Sequence, residues 1–408
     1  MAEHGTFEPP DTVEELASRW SVYQPWLQHD PVTPWNRMRD ASPPIVRSDE
    51  LGGYWILTRY EDIEWAAKNP DVFSSAQIGI PHRDIFETKQ IPIQLDGDEH
   101  RMWRQTLSVL FNPAVVNHFD PLIRQATSEA IDKVVEKGRC EFIEEIAVTL
   151  PAETFLITFG IGREYLQPLL DHKTWLRKEG IPNARTDADI HAANKPLWNF
   201  FRDAVDRREA EGTEGRLDVF SRLLTTKFDD RPLTRDEMVN AAFVSMLAAL
   251  DTTTAALGLA FLHLAEHPEV QRRVVASPDN VPAIVEELIR HEPVSSTGRV
   301  VTRDVERHGV TMRAGDRVLL SWGMSGRDPD VFDRPDEVDF DRGSTRHLGF
   351  GIGPHRCLGM HVARKVMRTA IEEWHARVPG YRLVEGSTPV HHYSPARGIA
   401  SLELEWES

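Results

Sequence analysis

From Ala241 to Ala265 the chain is almost entirely apolar or hydroxylic, with Asp251 its only acid and His263 near its far end. A helix of that length can cross a bilayer, or it can run through the middle of a large soluble protein. Asp251 and the following Thr252, Thr253 and Thr254 sit at the centre of the run, where lipid strongly opposes a charge. A helix buried through the centre of a soluble fold is therefore expected. Such a fold must be large, and 408 residues with 40% hydrophobic content can supply the core. The helix start is also written locally: Thr234, with Glu237 three residues on, forms a capping box.

The remaining elements follow from pattern. Residues 54–58 read as a strand and residues 60–68 as a helix closed by Asn69-Pro70. Residues 74–98 have no steady period and read as a long loop, a type that is usually functional in compact folds. Helical patterns fill residues 100–276, with a charged outer helix at 202–214. A helix at 281–291 stops at Glu292-Pro293, and strands are expected at 299–305, 310–312 and 317–321. A last helix spans about 358–377, before C-terminal strands such as 401–406. The class is mainly α with a minor β region. Without repeats or a Pro/Ser/Gly-rich linker, residues 1–408 are expected to form a single domain, residues 1–20 being a flexible tail.

The net charge of −17 repels nucleic acid and anionic lipid. Cys140 and Cys357 are the only cysteines, so neither a disulfide framework nor a structural zinc site is expected. The N-terminal residues lack the basic and apolar regions of a signal peptide. Cytoplasmic residence is the expectation.

One segment carries strong chemistry: Phe350-Gly351-Ile352-Gly353-Pro354-His355-Arg356-Cys357-Leu358-Gly359. A cysteine just before a helix has its thiolate favoured by the helix N-terminus, and the glycines allow tight turns and close approach of a flat cofactor. Taken alone, Cys357 is equally well a buried core thiol, the reading Cys140 keeps. Likewise Asp251-Thr252 alone could be a helix bend, His100 and Arg104 ordinary surface charges on one helical face, and Glu287 and Arg290 an exposed bridge.

The decapeptide resembles the haem-binding loop of the cytochrome P450 family at every motif position, and other motifs follow in the family's order along nearly the whole chain. The resemblance implies the family's triangular, mostly helical fold and a monooxygenase, an oxidoreductase containing haem b. Cys357 would be the thiolate ligand to iron. Glu287-Leu288-Ile289-Arg290 resembles the family's Glu-x-x-Arg helix, a structural pair packed on residues 332–342. His100, Arg104, Arg299 and His355 resemble the set that binds the haem propionates. Asp251 and Thr252 resemble the acid–alcohol pair that delivers protons during O2 cleavage, although Ala249 stands where the family usually has glycine. The resemblance is greatest to bacterial terpenoid hydroxylases of the camphor-hydroxylase kind, with a similar loop from Phe73-Ser74-Ser75 and a Thr297-Gly298-Arg299 turn. That group's loop tyrosine is missing between Tyr60 and Tyr165, and Thr88 falls near its position.

Candidate substrate contacts are Ile78, Ile80, Phe86, Thr88, Val244, Leu247, Ala248, Val294 and Thr297, residues that would serve equally well as core. A basic cluster of Arg104, Arg342, Arg346, His347, Arg356, Arg364 and Lys365 is expected at the haem's proximal face, suited to an acidic ferredoxin served by a ferredoxin reductase. The expected reaction is hydroxylation of a small apolar molecule, terpenoid-like, by O2. The rivals are a peroxide-driven oxidase, an aromatic or steroid substrate, and a non-catalytic haem sensor.

Overall fold

The computed structural model describes residues 8–85, 87–343, 346–392 and 396–407. The apolar run becomes one continuous helix, Arg235–Glu266, hereafter the central helix. The Thr234 hydroxyl accepts from the Glu237 N–H at 3.2 Å, and the Glu237 carboxylate accepts from the Thr234 N–H at 2.7 Å. Helices Thr149–Phe159, Asp187–Glu211 and Met360–Arg377 pack around it. Covered from several sides, it is buried along most of its length and carries no continuous polar stripe.

Two apolar clusters meet along this helix. Its first half, through Leu250, packs with Trp103, Phe155 and Phe201. Its second half, from Leu257, packs with Phe142, Ile284 and Trp374. Asp251 and Thr252 lie at the seam between them.

The main sheet has five strands in the order Ile45–Ser48, Tyr54–Leu57, Arg317–Leu320, Thr297–Val301, Phe73–Ser74. Val318 pairs in parallel with Trp55 and antiparallel with Arg299, which fixes the height of Arg299 in the sheet. Strand alternation then puts Thr297 and Arg299 on one face. The strand expected over 299–305 is divided into Thr297–Val301 and Val305–Arg307. A bend at Thr302-Arg303 intervenes: the Thr302 N–H donates to Val72 O, and Asp304 takes the Ala314 N–H.

The helix Val281–His291 carries the Glu-x-x-Arg pair inward. Glu287 is 1% exposed and Arg290 0%. The Arg290 Nε and one terminal nitrogen each donate to Glu287 at 2.8 Å, and Arg342 Nε and the Asp339 N–H add bonds of 3.0 and 2.9 Å. Arg290 also donates to the carbonyls of Gly326, Pro335 and Glu337. The pair therefore ties this helix to the irregular segment 326–342.

The expected tail is corrected from residue 12 onward. Thr12 caps a helix, Val13–Ser18, while Leu16 and Trp20 are fully buried. A few apolar residues in a polar stretch suffice for one short inward face. Ile80 is likewise core, packed with Val46, Ile56 and Leu319.

Candidate active site

The cysteine loop is held by its own backbone. The Cys357 N–H donates to Phe350 O at 2.8 Å, the Gly351 N–H to Leu348 O at 2.8 Å and the Arg356 N–H to Gly353 O at 3.1 Å. Gly353 has φ +74°, and a Cβ there would lie 2.6 Å from the Ala67 carbonyl oxygen, so only glycine fits. The Cys357 side chain is accessible although it sits deep within the protein, as expected for a group lining an internal space. Burial pushes its thiol up, against the opposing pull of the Gly359 N–H and of Arg104, Arg364 and Arg356. Cys140 is buried in the strand Arg139–Glu141, and burial beside Glu145 and Glu141 holds it as a thiol. Cys140 has one cation, Lys137, outweighed by its acidic neighbours, whereas Cys357 has three arginines and an amide N–H acting on its sulfur.

Four basic groups converge beside the loop. His100 and Arg104 come from the helix Gly97–Ser108, Arg299 from the sheet and His355 from the loop itself. The His100 and His355 rings are 4.0 Å apart. Burial lowers His100 to about 4, helped by the charges of His355 and Arg104. Burial also lowers Arg104, and it lowers Arg299 to about 10. Among the described residues, His100 Nε2 is buried without a partner, and the Arg299 guanidinium donates only to Gly298 O, at 2.6 Å. Asp96, the carboxylate facing Arg299, is already engaged by His355 at 3.2 Å and by Ser74 and Ser75. Burying cationic donors without matching anions is unfavourable. The donor excess suits a flat cofactor bearing two carboxylates, and the accessible thiol suits its metal.

On the central helix Ala248 is exposed and Leu247 and Thr252 are half-buried, amid residues that are otherwise mostly buried. Val244, four residues before Ala248, is buried and closes this strip. Leu358, next to the cysteine, packs in the same cluster as Leu247 and Ala249. The Thr252 hydroxyl donates to Ala248 O at 2.6 Å, the local helix bond such a residue commonly makes. Asp251 is 59% exposed and pairs with Lys173, from the helix Leu166–Trp175, at 2.6 Å. A carboxylate at the surface and a hydroxyl one residue inward are suited to passing protons between solvent and the interior.

The substrate candidates separate. Val294 packs against the same core cluster as Ala256 and Phe350 do, and the Thr297 hydroxyl is buried without a partner among the described residues. Thr88 is exposed, and its hydroxyl accepts from Asn240 Nδ2 at 3.2 Å. Asn240 also donates to Lys89 O and accepts from the Ile91 N–H, so this contact anchors the loop to the central helix. The Ile78 carbonyl accepts from the Gly298 N–H, pinning the same loop to the sheet. Phe86 lies outside the described residues.

The basic cluster is smaller than its composition suggested. Arg342 bonds Glu287, His347 and Arg364 bond Glu286, and Lys365 pairs with Asp120 at 2.8 Å. Arg104 points inward among the four basic groups. Arg346 and Arg356 are exposed, and no ion pair engages them among the described residues. Pattern reading missed Asp96, Lys173 and Glu286. Asp96 precedes a helix start and looks like an ordinary cap, while Glu286 is masked by its neighbour Glu287.

A cytochrome P450 family profile matches residues 183–373. The chain is 31% identical to Cytochrome P450 109 of Bacillus spizizenii, over 86% of this chain and 84% of that one. It is 28% identical to Cytochrome P450-terp of a Pseudomonas species, over 86% and 87% of the two chains. The crystal structure of cytochrome P450 CYP101C1 superposes with a TM-score of 0.87 at 27% identity, covering 96% of this chain and 97% of the other. With the helical core, the cysteine loop and the buried Glu-x-x-Arg pair in place, the chain belongs to the cytochrome P450 family of monooxygenases, which use haem b bound through a cysteine thiolate.

Proposed function

We propose that this enzyme hydroxylates a small apolar, terpenoid-like molecule with O2 in the cytoplasm, taking two electrons singly from a ferredoxin and its reductase. Haem b bound through Cys357 would supply an electron-rich iron that favours O–O cleavage. His100, Arg104, Arg299 and His355 would hold its propionates by charge-assisted bonds. Asp251 takes protons from solvent beside Lys173 and passes them toward the Thr252 hydroxyl, while Leu247 and Ala248 present an apolar surface to the substrate.

The Asp251–Thr252 pair carries this reading. It stands at the seam of two apolar clusters, where the helix sets a solvent-exposed carboxylate next to a half-buried hydroxyl. A peroxide-driven enzyme or a haem sensor has no need of a proton path. The relative named Cytochrome P450-terp supports the terpenoid class. Arg346 and Arg356, exposed on a chain of −17, support an acidic electron donor. Turnover should be supported by a ferredoxin, its reductase and O2, and turnover only with peroxide would overturn the proposal. In a panel of terpenoids, aromatics and steroids, a terpenoid should give the strongest low- to high-spin shift. A shift confined to the other two classes would replace the substrate assignment.

A further inference from the structure

Glu286 is a neighbour of the structural Glu287, but its side chain serves a different part of the molecule. Its carboxylate takes both Arg364 Nε, at 2.5 Å, and an Arg364 terminal nitrogen, at 2.8 Å. It also meets His347 Nε2 at 3.1 Å. Arg364 lies in the helix Met360–Arg377 that follows the cysteine, and His347 lies just before the cysteine loop.

Both partners reach the loop directly. The Arg364 guanidinium carbon stands 4.4 Å from the Phe350 ring centroid. The Phe350 carbonyl is the acceptor for the Cys357 N–H. The Gly349 N–H donates to His347 Nδ1 at 3.1 Å, so Nδ1 carries no proton and Nε2–H must be the donor to Glu286. One carboxylate thus fixes a histidine tautomer on the upstream flank and a stacked guanidinium on the downstream flank. Arg364 is also among the cations whose field falls on the Cys357 sulfur.

We propose that Glu286 is a positioning residue for the thiolate: it clamps both flanks of the cysteine loop and balances the Arg364 charge that the sulfur senses. The inference rests on Cys357 being the iron ligand. Burial alone would raise the Glu286 carboxyl, yet His347 and Arg364 hold it down at about 2, so the clamp carries its charge throughout the working pH range.

The test uses purified holoenzymes and needs no substrate. Glu286→Gln leaves Arg364 unbalanced and should raise the ferrous-to-ferric ratio at a fixed potential by about threefold, the scale of a partly screened charge. Arg364→Gln should lower that ratio, and the double variant should return close to the wild type. Opposite signs cannot come from general loosening of the fold. Unchanged ratios, or shifts of the same sign in both single variants, would overturn the proposal. Should Glu286→Gln fail to retain haem, Glu286→Asp keeps the charge but not the two-pronged reach. It should keep the wild-type ratio and lose the long-wavelength band of the reduced carbonyl complex faster on mild warming. Equal loss in both proteins would also refute the clamp. A wild-type enzyme without that band would instead refute ligation by Cys357.

Discussion

Replacing Glu287 by glutamine tests the buried pair most severely. Glu287 accepts two bonds from Arg290, one from Arg342 and one from the Asp339 N–H, and it is 1% exposed. Glutamine has one accepting oxygen, and its amide nitrogen would face donors. At least one charge-assisted bond is lost, worth about 1.5–3 kcal/mol, and the fully buried Arg290 loses its counter-charge. Breaking a buried pair from one side costs about 3–5 kcal/mol. The lost bond is part of that larger cost and is not added to it, so about 3–5 kcal/mol is expected, a large part of the ~5–15 kcal/mol that holds a folded protein. The assay is the urea midpoint of holoenzymes at equal haem loading, since a bound cofactor complicates two-state treatment. Lys68→Ala is the control. Its pair with Glu64 has the same 2.8 Å length but is exposed, so it should cost no more than about 0.5 kcal/mol. A loss below about 1 kcal/mol for Glu287→Gln would show that the pair behaves like that exposed bridge and would refute the reasoning.

Four further outcomes are expected. Gly353→Ala must place a methyl 2.6 Å from Ala67 O at positive φ; it should reduce haem retention, and normal retention would show that the loop can shift. Burial lowers His375 to about 4, while the unfolded residue titrates near 6.5. The unfolded chain therefore binds more protons between these values. Stability from this residue is complete above pH 6.5 and is lost as pH falls toward 4. His375→Phe should flatten that slope by up to about 1.4 kcal/mol per pH unit, and an unchanged slope would exclude the residue. Thr252→Ala should divert electrons into hydrogen peroxide, measured against oxygen consumed; tight coupling in the variant would remove Thr252 from the proton path. Cys357→His should abolish the long-wavelength Soret band of the reduced carbonyl complex, and its persistence would refute thiolate ligation.

Features with a local physical signature were legible in the sequence. The helix Val281–His291 and the strand Val310–Met312 match the expected bounds because hydrophobic period and flanking breakers mark them. Trp20 and Leu16 were hidden because a short helix needs little apolar sequence to reach the core. The cation cluster was misjudged for a different reason. Charges near one another in sequence suggested an open patch, whereas Glu286 and Glu287 arrive from a distant helix to neutralise several of them.

The sequence by itself determined that a long apolar helix must run inside the protein, that Thr234 begins it, and that Cys357 stands in a glycine-bearing loop before a helix. Those properties depend on neighbours within a few residues, through capping, periodicity and backbone freedom. Tertiary structure decided which groups share a space: His100 against His355, Asp251 against Lys173, Thr88 on Asn240 and Glu286 across both flanks of the cysteine. Such pairings join segments far apart in the chain. They are set by how helices and strands pack around one core, and no local pattern encodes them.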